Sequence, residues 1–334
     1  MEKHPLVSVL TPSYNSGLII HRLLDSVLMQ TYPNIEMYVV DDGSTDNTEE
    51  VVNSYMEKFH SRNYRLFYIR QENSGQSVAI NNGLKLVKGE YLVWPDSDDY
   101  YVSGHAIEKL VGVFETRGGD TGLVRCCCNL VDEKSLDKIG ELKPIKVRAE
   151  ADLFENCLFQ KDFWYQPGDY MAKVSDIDFR IPGRNIYTEK RAGQNWQLML
   201  PLLYKKKCIT INEFMYNVVV RPSSHSHSTF KSFETLIAMN EVYERTILST
   251  LDNMAFADST ELQLYKQLIR NKYILEKLNY SVKCNRKDFV RKYLSEAEEQ
   301  HFSIPFKLKV KIRFPILDKM YSETKSIVKK VIRK

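Results

Sequence analysis

Residues 96–99 read Asp-Ser-Asp-Asp and stand directly behind Gly89-Glu90-Tyr91-Leu92-Val93-Trp94-Pro95, a run with the character of a buried strand that delivers them to a sheet edge. Three carboxylates gathered at one turn repel one another unless they share a cation. Hard ions such as Mg2+ or Mn2+ take oxygen ligands, and a carboxylate or two plus a substrate's phosphates is the usual way a protein holds one. The cluster therefore points to a metal-bridged diphosphate. A solvated acidic turn is the competing reading, because Asp and Ser are favoured wherever the chain bends. A calcium loop of the EF-hand type fails on spacing: counting from Asp96, the sixth position is Tyr101 rather than Gly and the twelfth is Ile107 rather than Glu.

The elements that must position this turn alternate strand and helix. Leu6-Val7-Ser8-Val9-Leu10 is short, apolar and β-branched, and is broken by Thr11-Pro12-Ser13-Tyr14-Asn15-Ser16-Gly17. A helix follows with the stripe Ile20, Leu23, Leu24, Val27 and Leu28, and Asn15 or Ser16 is expected to cap it. Ile35–Val40 predicts a second strand, ended by Asp41-Asp42-Gly43-Ser44-Thr45-Asp46, with a helix through Phe59 capped by Thr45 or Asp46. Leu66–Ile69 predicts a third strand and Gln76–Val87 a further helix. Regular strand–helix alternation argues a parallel sheet with helices on its faces, and such sheets bind ligands at the carboxyl ends of their strands. The turns at 11–17, 41–46 and 96–99 would then share one edge.

Beyond Val131 the pattern is less regular. A helix is expected over Gln194–Tyr204, a strand pair over Cys208–Val220, and helical periodicity from Phe230 to Glu299, with Leu262, Tyr265, Leu268, Ile269, Tyr273 and Leu275 among its apolar positions. The adjacent Cys126, Cys127 and Cys128 lie in an apolar run that reads as a buried strand, with cysteine serving as a small hydrophobe. No CxxC pair offers a zinc site. The 334 residues carry no secretory leader and no stretch near the ~20 apolar residues that span a bilayer, so a cytoplasmic protein is expected.

The four segments Val7-Ser8-Val9-Leu10-Thr11-Pro12-Ser13-Tyr14-Asn15, Val39-Val40-Asp41-Asp42-Gly43-Ser44-Thr45-Asp46, Asn73-Ser74-Gly75-Gln76-Ser77-Val78-Ala79-Ile80-Asn81-Asn82-Gly83 and Asp96-Ser97-Asp98-Asp99, in that order, resemble the family 2 glycosyltransferases of GT-A fold that build bacterial surface polysaccharides. The resemblance implies an α/β fold: a Rossmann-like nucleotide-binding sheet with helices on both faces over residues 1–229, followed by a helical C-terminal region over 230–334. Residues 1–100 would form the nucleotide-binding half and 101–229 the acceptor half. By the same resemblance Thr11, Pro12 and Tyr14 lie along base and ribose, Asp41 accepts the base imide N–H, and Asn73 and Ser77 belong to the donor-binding block. Asp98 ligates Mn2+ or Mg2+, and Asp96 holds the ribose or a metal-bound water. The implied reaction moves a sugar from a nucleotide-sugar donor, most commonly a UDP-sugar, to a glycan or lipid-linked acceptor with inversion.

Two departures stand out. Ile80 replaces an arginine common in the third block, so one phosphate contact must come from elsewhere. The Glu-Asp pair that usually precedes a tryptophan, and supplies the catalytic base, appears as Gln194-Asn195 before Trp196. An amide cannot take the proton, which leaves Glu189, Asp169 and Asp99 as candidate bases, with Gln194 and Asn195 as acceptor contacts or helix caps. A catalytically impaired sugar-nucleotide-binding module is the alternative reading. Arg221-Pro222-Ser223-Ser224-His225-Ser226-His227-Ser228 stands where the family often closes over its site, so Arg221, His225 and His227 are further donor or metal contacts that the resemblance implies.

The formal net charge of +4 is uneven: Phe302–Lys334 holds ten Lys or Arg against Asp318 and Glu323. From Phe306 to Phe314 apolar and basic residues alternate, which suits an interfacial element on an anionic membrane surface, at the inner face of the plasma membrane. Nucleic acid is not an expected partner. A signalling receiver is disfavoured, since its acidic pair should follow the first strand, whereas Asp41 and Asp42 follow the second.

Overall fold

The computed structural model describes residues 4–117, 119–144, 150–189, 191–221, 232–254, 256 and 258–313. Its strands are β1 (Val7–Ser13), β2 (Ile35–Asp41), β3 (Arg65–Arg70), β4 (Tyr91–Val93), β5 (Tyr100–Tyr101), β6 (Thr121–Asp132), β7 (Lys138–Leu142), β8 (Glu150–Ala151), β9 (Tyr170–Lys173) and β10 (Lys207–Val220). They form one sheet in the order β3-β2-β1-β4-β9-β6-β10-β5, with β7 added to β6 and β8 to β10. The first four pair in parallel, as the alternation of elements predicts. β9 then runs antiparallel to both β4 and β6, and β10 lies parallel to β6.

Every residue of β1 and β2 is buried, as befits interior parallel strands covered on both faces. On one face Val7, Val9, Met37, Val39 and Val93 pack against Leu23, Leu24 and Val27 of helix His21–Leu28 and Ile107, Leu110 and Phe114 of helix Ala106–Arg117. Burying each such side chain contributes about 1.5–3 kcal/mol. On the other face helix Gln76–Leu86 comes close enough that a Cβ on Gly83 would lie 2.1 Å from Leu10 Cδ1. Register pairs Ser13 with Asp41, so the turns after β1 and β2 leave the sheet side by side. Cys126, Cys127 and Cys128 sit in β6, buried and free, as expected of small hydrophobes.

Three expected features are drawn differently. Helix His21–Leu28 has no side-chain cap. Asn15, at a left-handed φ of 50°, instead accepts a hydrogen bond from Thr45 N–H through Oδ1. The helix expected through Phe59 is two short helices, Thr48–Asn53 and Met56–Ser61, although Asp46 does accept from Thr48 N–H at its start. Cys208–Val220 is one long strand rather than a pair, with register shifts at Ile211–Phe214 and Phe214–Tyr216 absorbing the exposed Asn212 and Glu213. Within the C-terminal region expected to be helical, Phe306–Arg313 is a helix, and Leu308 and Ile312, one turn apart, pack into an apolar cluster with Leu278 and Tyr293.

The chain forms two compact units: residues 1–227 with 245–257, and 228–244 with 258–334. The second is built by helices Ser259–Lys283, Lys287–Glu299 and Phe306–Arg313 around Phe233, Ile237, Ile274, Leu278, Tyr293 and Ile304. Among the described residues no helix is long and apolar enough to cross a membrane.

Candidate functional site

The carboxyl edge of the parallel strands carries all four sequence blocks, and hydrogen bonds join them in a ring. Asn15 N–H donates to Ser44 Oγ at 2.8 Å, which ties the first turn to the second. Asp42 accepts from Ser74 N–H at 2.7 Å and Gly75 N–H at 2.8 Å, tying the second turn to the third. Gln76 Nε2 donates to Asp96 Oδ1 at 2.8 Å, and Ser16 Oγ meets Ser97 Oγ at 2.7 Å, which closes the ring. Gly43 makes the second turn possible: its φ is +78°, and an added Cβ would stand 2.9 Å from Asn73 N.

Within this ring Asp41 is fully buried. Ser44 donates to it from both its N–H and its hydroxyl, and Tyr68 OH donates to Oδ2 at 2.6 Å. Burial and the carboxylate partner push the Tyr68 hydroxyl pKa upward, so the phenol stays a donor. Thr11 and Pro12 are buried, and Thr11 Oγ1 has no hydrogen-bond partner. Tyr14 is 52% exposed and presents its ring at the edge. Asn73 is exposed, while Ser77 is buried with its hydroxyl 3.5 Å from Ala192 O.

One oxygen each from Asp96, Asp98 and Asp99 lies within 4.8 Å of the others. Burial, then repulsion from Asp98, raises the Asp96 pKa to about 7, against the Gln76 hydrogen bond and Arg221. Asp99 is raised well above the usual carboxylate range by burial and its two acidic neighbours. It accepts from Val219 N–H at 2.8 Å and from Gln166 Nε2, so it fastens the turn to β10. Asp98 is ion-paired to Arg221. Oxygen donors held this close at the cost of mutual repulsion fit a hard divalent cation.

The candidate bases are placed in three different surroundings. Asp169 is fully buried, accepts from Trp164 Nε1 at 2.6 Å, and has its pKa raised to about 7 by burial. Asp99 is 2% exposed. Glu189 keeps 23% of its side chain exposed, accepts from both Arg245 and Tyr187 OH, and has its pKa lowered chiefly by the Arg245 hydrogen bonds. Gln194 opens helix Gln194–Leu203 and is half-buried. Asn195 does not cap that helix: its amide accepts from Trp94 Nε1 at 3.2 Å and donates to Tyr165 O at 3.0 Å, anchoring the strand end that leads into Asp96. Ile80 is buried in the core. His225 and His227 lie outside the described residues.

Reasoning from sequence missed Tyr68, Gln76, Ser97 and Gln166. Gln76 and Ser97 lay inside the four blocks and needed only the pairing of those blocks. Tyr68 follows from the β2–β3 register, which sets it opposite Val39. Gln166 carries no local signal.

A parallel sheet extended by antiparallel strands, with an acidic turn at its carboxyl edge, is the arrangement of the GT-A fold class. Residues 8–139 match the sequence profile of glycosyl transferase family 2. Glycosyltransferase GlyA of Streptococcus pneumoniae serotype 4 is 44% identical over 288 residues, covering 79% of this chain and 37% of that protein. The chain spans 23% to 39% of the length of the first curated relatives it matches. Among solved structures, TarS of S. aureus in complex with UDP-GlcNAc superposes with a TM-score of 0.62 at 18% identity, covering 86% of this chain and 81% of that one. The mannosyltransferase PcManGT from Pyrobaculum calidifontis, in complex with GDP-Man and Mn2+, gives a TM-score of 0.55 at 16% identity, covering 97% and 83%.

Proposed function

We propose that the protein transfers a sugar from a nucleotide-sugar, with UDP-sugars the first choice, to a hydroxyl of a glycan or lipid-linked acceptor, with inversion and with a divalent cation. The carrying observation is the Asp96, Asp98 and Asp99 cluster at the carboxyl edge, bonded into one ring with the three other turns. TarS with UDP-GlcNAc and PcManGT with GDP-Man and Mn2+ lend support for the donor class and the ion.

Asp98, with Asp96, would hold Mn2+ or Mg2+, which when bound supplies a Lewis acid and an electrostatic clamp for the departing diphosphate. Thr11, Pro12 and Tyr14 would line the base and ribose, with Asn73 and Ser77 beside the donor. Asp41, held in place by Ser44 and Tyr68, would accept the base imide N–H, a contact that needs a carboxylate-type acceptor. The acceptor oxygen forms the new bond to the anomeric carbon as the bond to the diphosphate breaks. We assign its proton to Glu189, whose carboxylate alone among the three candidates is partly open to solvent. Gln194 would contact the acceptor, and Asn195 would position Trp94.

A thermal-shift screen of UDP-, dTDP- and GDP-sugars with and without Mn2+ tests the reading, because a ligand of the native state raises its stability by mass action. A metal-dependent shift with one donor class is expected, and no shift with any donor would contradict it. Binding without hydrolysis or transfer of any donor would instead favour an impaired binding module, the reading motivated by Gln194 and Asn195.

The basic C-terminal segment is proposed to rest on anionic lipid at the inner face of the plasma membrane. Truncation after Arg313 retains the packed Leu308 and Ile312. It should reduce co-sedimentation with phosphatidylglycerol vesicles, and unchanged sedimentation would remove this part of the proposal.

A further inference from the structure

A basic side chain already stands at the acidic turn. Arg221 donates from one Nη to Asp98 Oδ2, and the pair is part-buried, with side chains 32% and 19% exposed. The contact uses only part of the guanidinium: Arg221 Nε is buried and has no hydrogen-bond partner. A planar fork of five donors suits two acceptor oxygens at once, and a buried donor left without an acceptor is a cost that a second anion would remove. Arg221 directly follows β10, where Val219 N–H is bonded to Asp99, so its backbone is fixed at the cluster while its long side chain can turn.

The geometry points to Arg221 as an internal counter-cation of Asp98, displaced when a divalent ion binds and then turned onto the donor's diphosphate. This deepens the metal and nucleotide reading above and rests on it. Asp98 cannot serve both cations at full strength. An ion that binds alone must break the pair and leave a guanidinium beside it with no anionic partner. An ion that binds with a nucleoside diphosphate gives Arg221 new acceptor oxygens. Cation and nucleotide therefore bind with positive coupling, and by linkage the coupling is reciprocal. The pair also keeps the three carboxylates from meeting without any positive charge before the donor arrives.

The test is Mn2+ titration followed by the EPR signal of the free ion, on wild type, Arg221→Gln and Arg221→Lys, with and without UDP. Without UDP, Arg221→Gln should bind Mn2+ more tightly than wild type, by about tenfold, within the range usual for coupled sites. UDP should tighten Mn2+ binding to wild type by a similar factor, and much less in Arg221→Gln. Arg221→Lys, which keeps the charge without the fork, should retain the weak Mn2+ binding of wild type and part of the coupling. Equal Mn2+ affinity in wild type and Arg221→Gln without UDP, or an undiminished UDP effect in Arg221→Gln, overturns the inference and leaves the proposed function standing. Failure of wild type to bind Mn2+ and UDP contradicts both. Should Arg221→Gln unfold at the assay temperature, Arg221→Met replaces it as the neutral variant, with the same expected outcomes.

Discussion

Ser16 Oγ and Ser97 Oγ lie 2.7 Å apart although 81 positions separate them in the chain. The bond joins the turn after β1 to the acidic turn after β4, so these two turns are tied to each other across the sheet edge. Ser97→Ala removes this tie without touching a carboxylate. It should cost about 1 kcal/mol of stability in chemical denaturation and weaken UDP binding in calorimetry. UDP affinity equal to wild type would detach this bond from donor binding.

Tyr68 holds Asp41 from the neighbouring strand, with its hydroxyl 2.6 Å from Oδ2. In Tyr68→Phe a fully buried carboxylate loses that donor, which should destabilise the fold by about 1–3 kcal/mol and reduce discrimination for the nucleotide base. A variant as stable as wild type, with the same preference among UDP, dTDP and GDP, would show that Asp41 does not depend on it.

Asp169 gives the fold a pH dependence of defined sign. Burial raises its pKa to about 7, so the native state favours the protonated form. Its contribution to stability is fully present below the unfolded value near 3.8 and is lost as pH rises through about 7. Asp169→Asn keeps an acceptor for Trp164 Nε1 but cannot ionise. The melting temperature of the variant relative to wild type should therefore climb between pH 5 and pH 8. A constant difference across that range would contradict the assignment.

Glu189→Gln separates chemistry from binding. If Glu189 takes the acceptor proton, kcat should fall by about 10²–10⁴, the usual contribution of general base catalysis, with UDP affinity little changed. Asp99→Asn should act differently, loosening the turn that Val219 N–H and Gln166 hold and lowering thermal stability. Full transfer activity in Glu189→Gln would move the proton elsewhere.

The first part of the sheet was legible because its signals are local. Apolar β-branched runs forced β1 to β3, the turn residues ended them, and strand–helix alternation put the turns on one edge. The candidate residues within those turns were thereby brought to that edge. What escaped depends on distant pairing: Gln166 reaches Asp99 across 67 positions, and no property of either segment announces it. Asn15 read as a cap but bonds the neighbouring turn, since a side chain able to satisfy a helix start satisfies any nearby N–H equally well. Cys208–Val220 read as a strand pair, whereas it lies in one strand in which the exposed Asn212 and Glu213 form an irregularity.

The most direct test of the central claim is calorimetric binding of UDP to wild type and to Asp98→Asn, each with and without Mn2+. The account predicts that Mn2+ strengthens UDP binding to wild type at least tenfold, about 1.4 kcal/mol, and that Asp98→Asn loses this strengthening while remaining folded. Wild-type UDP binding indifferent to Mn2+ and Mg2+, or a full Mn2+ effect surviving in Asp98→Asn, would contradict it.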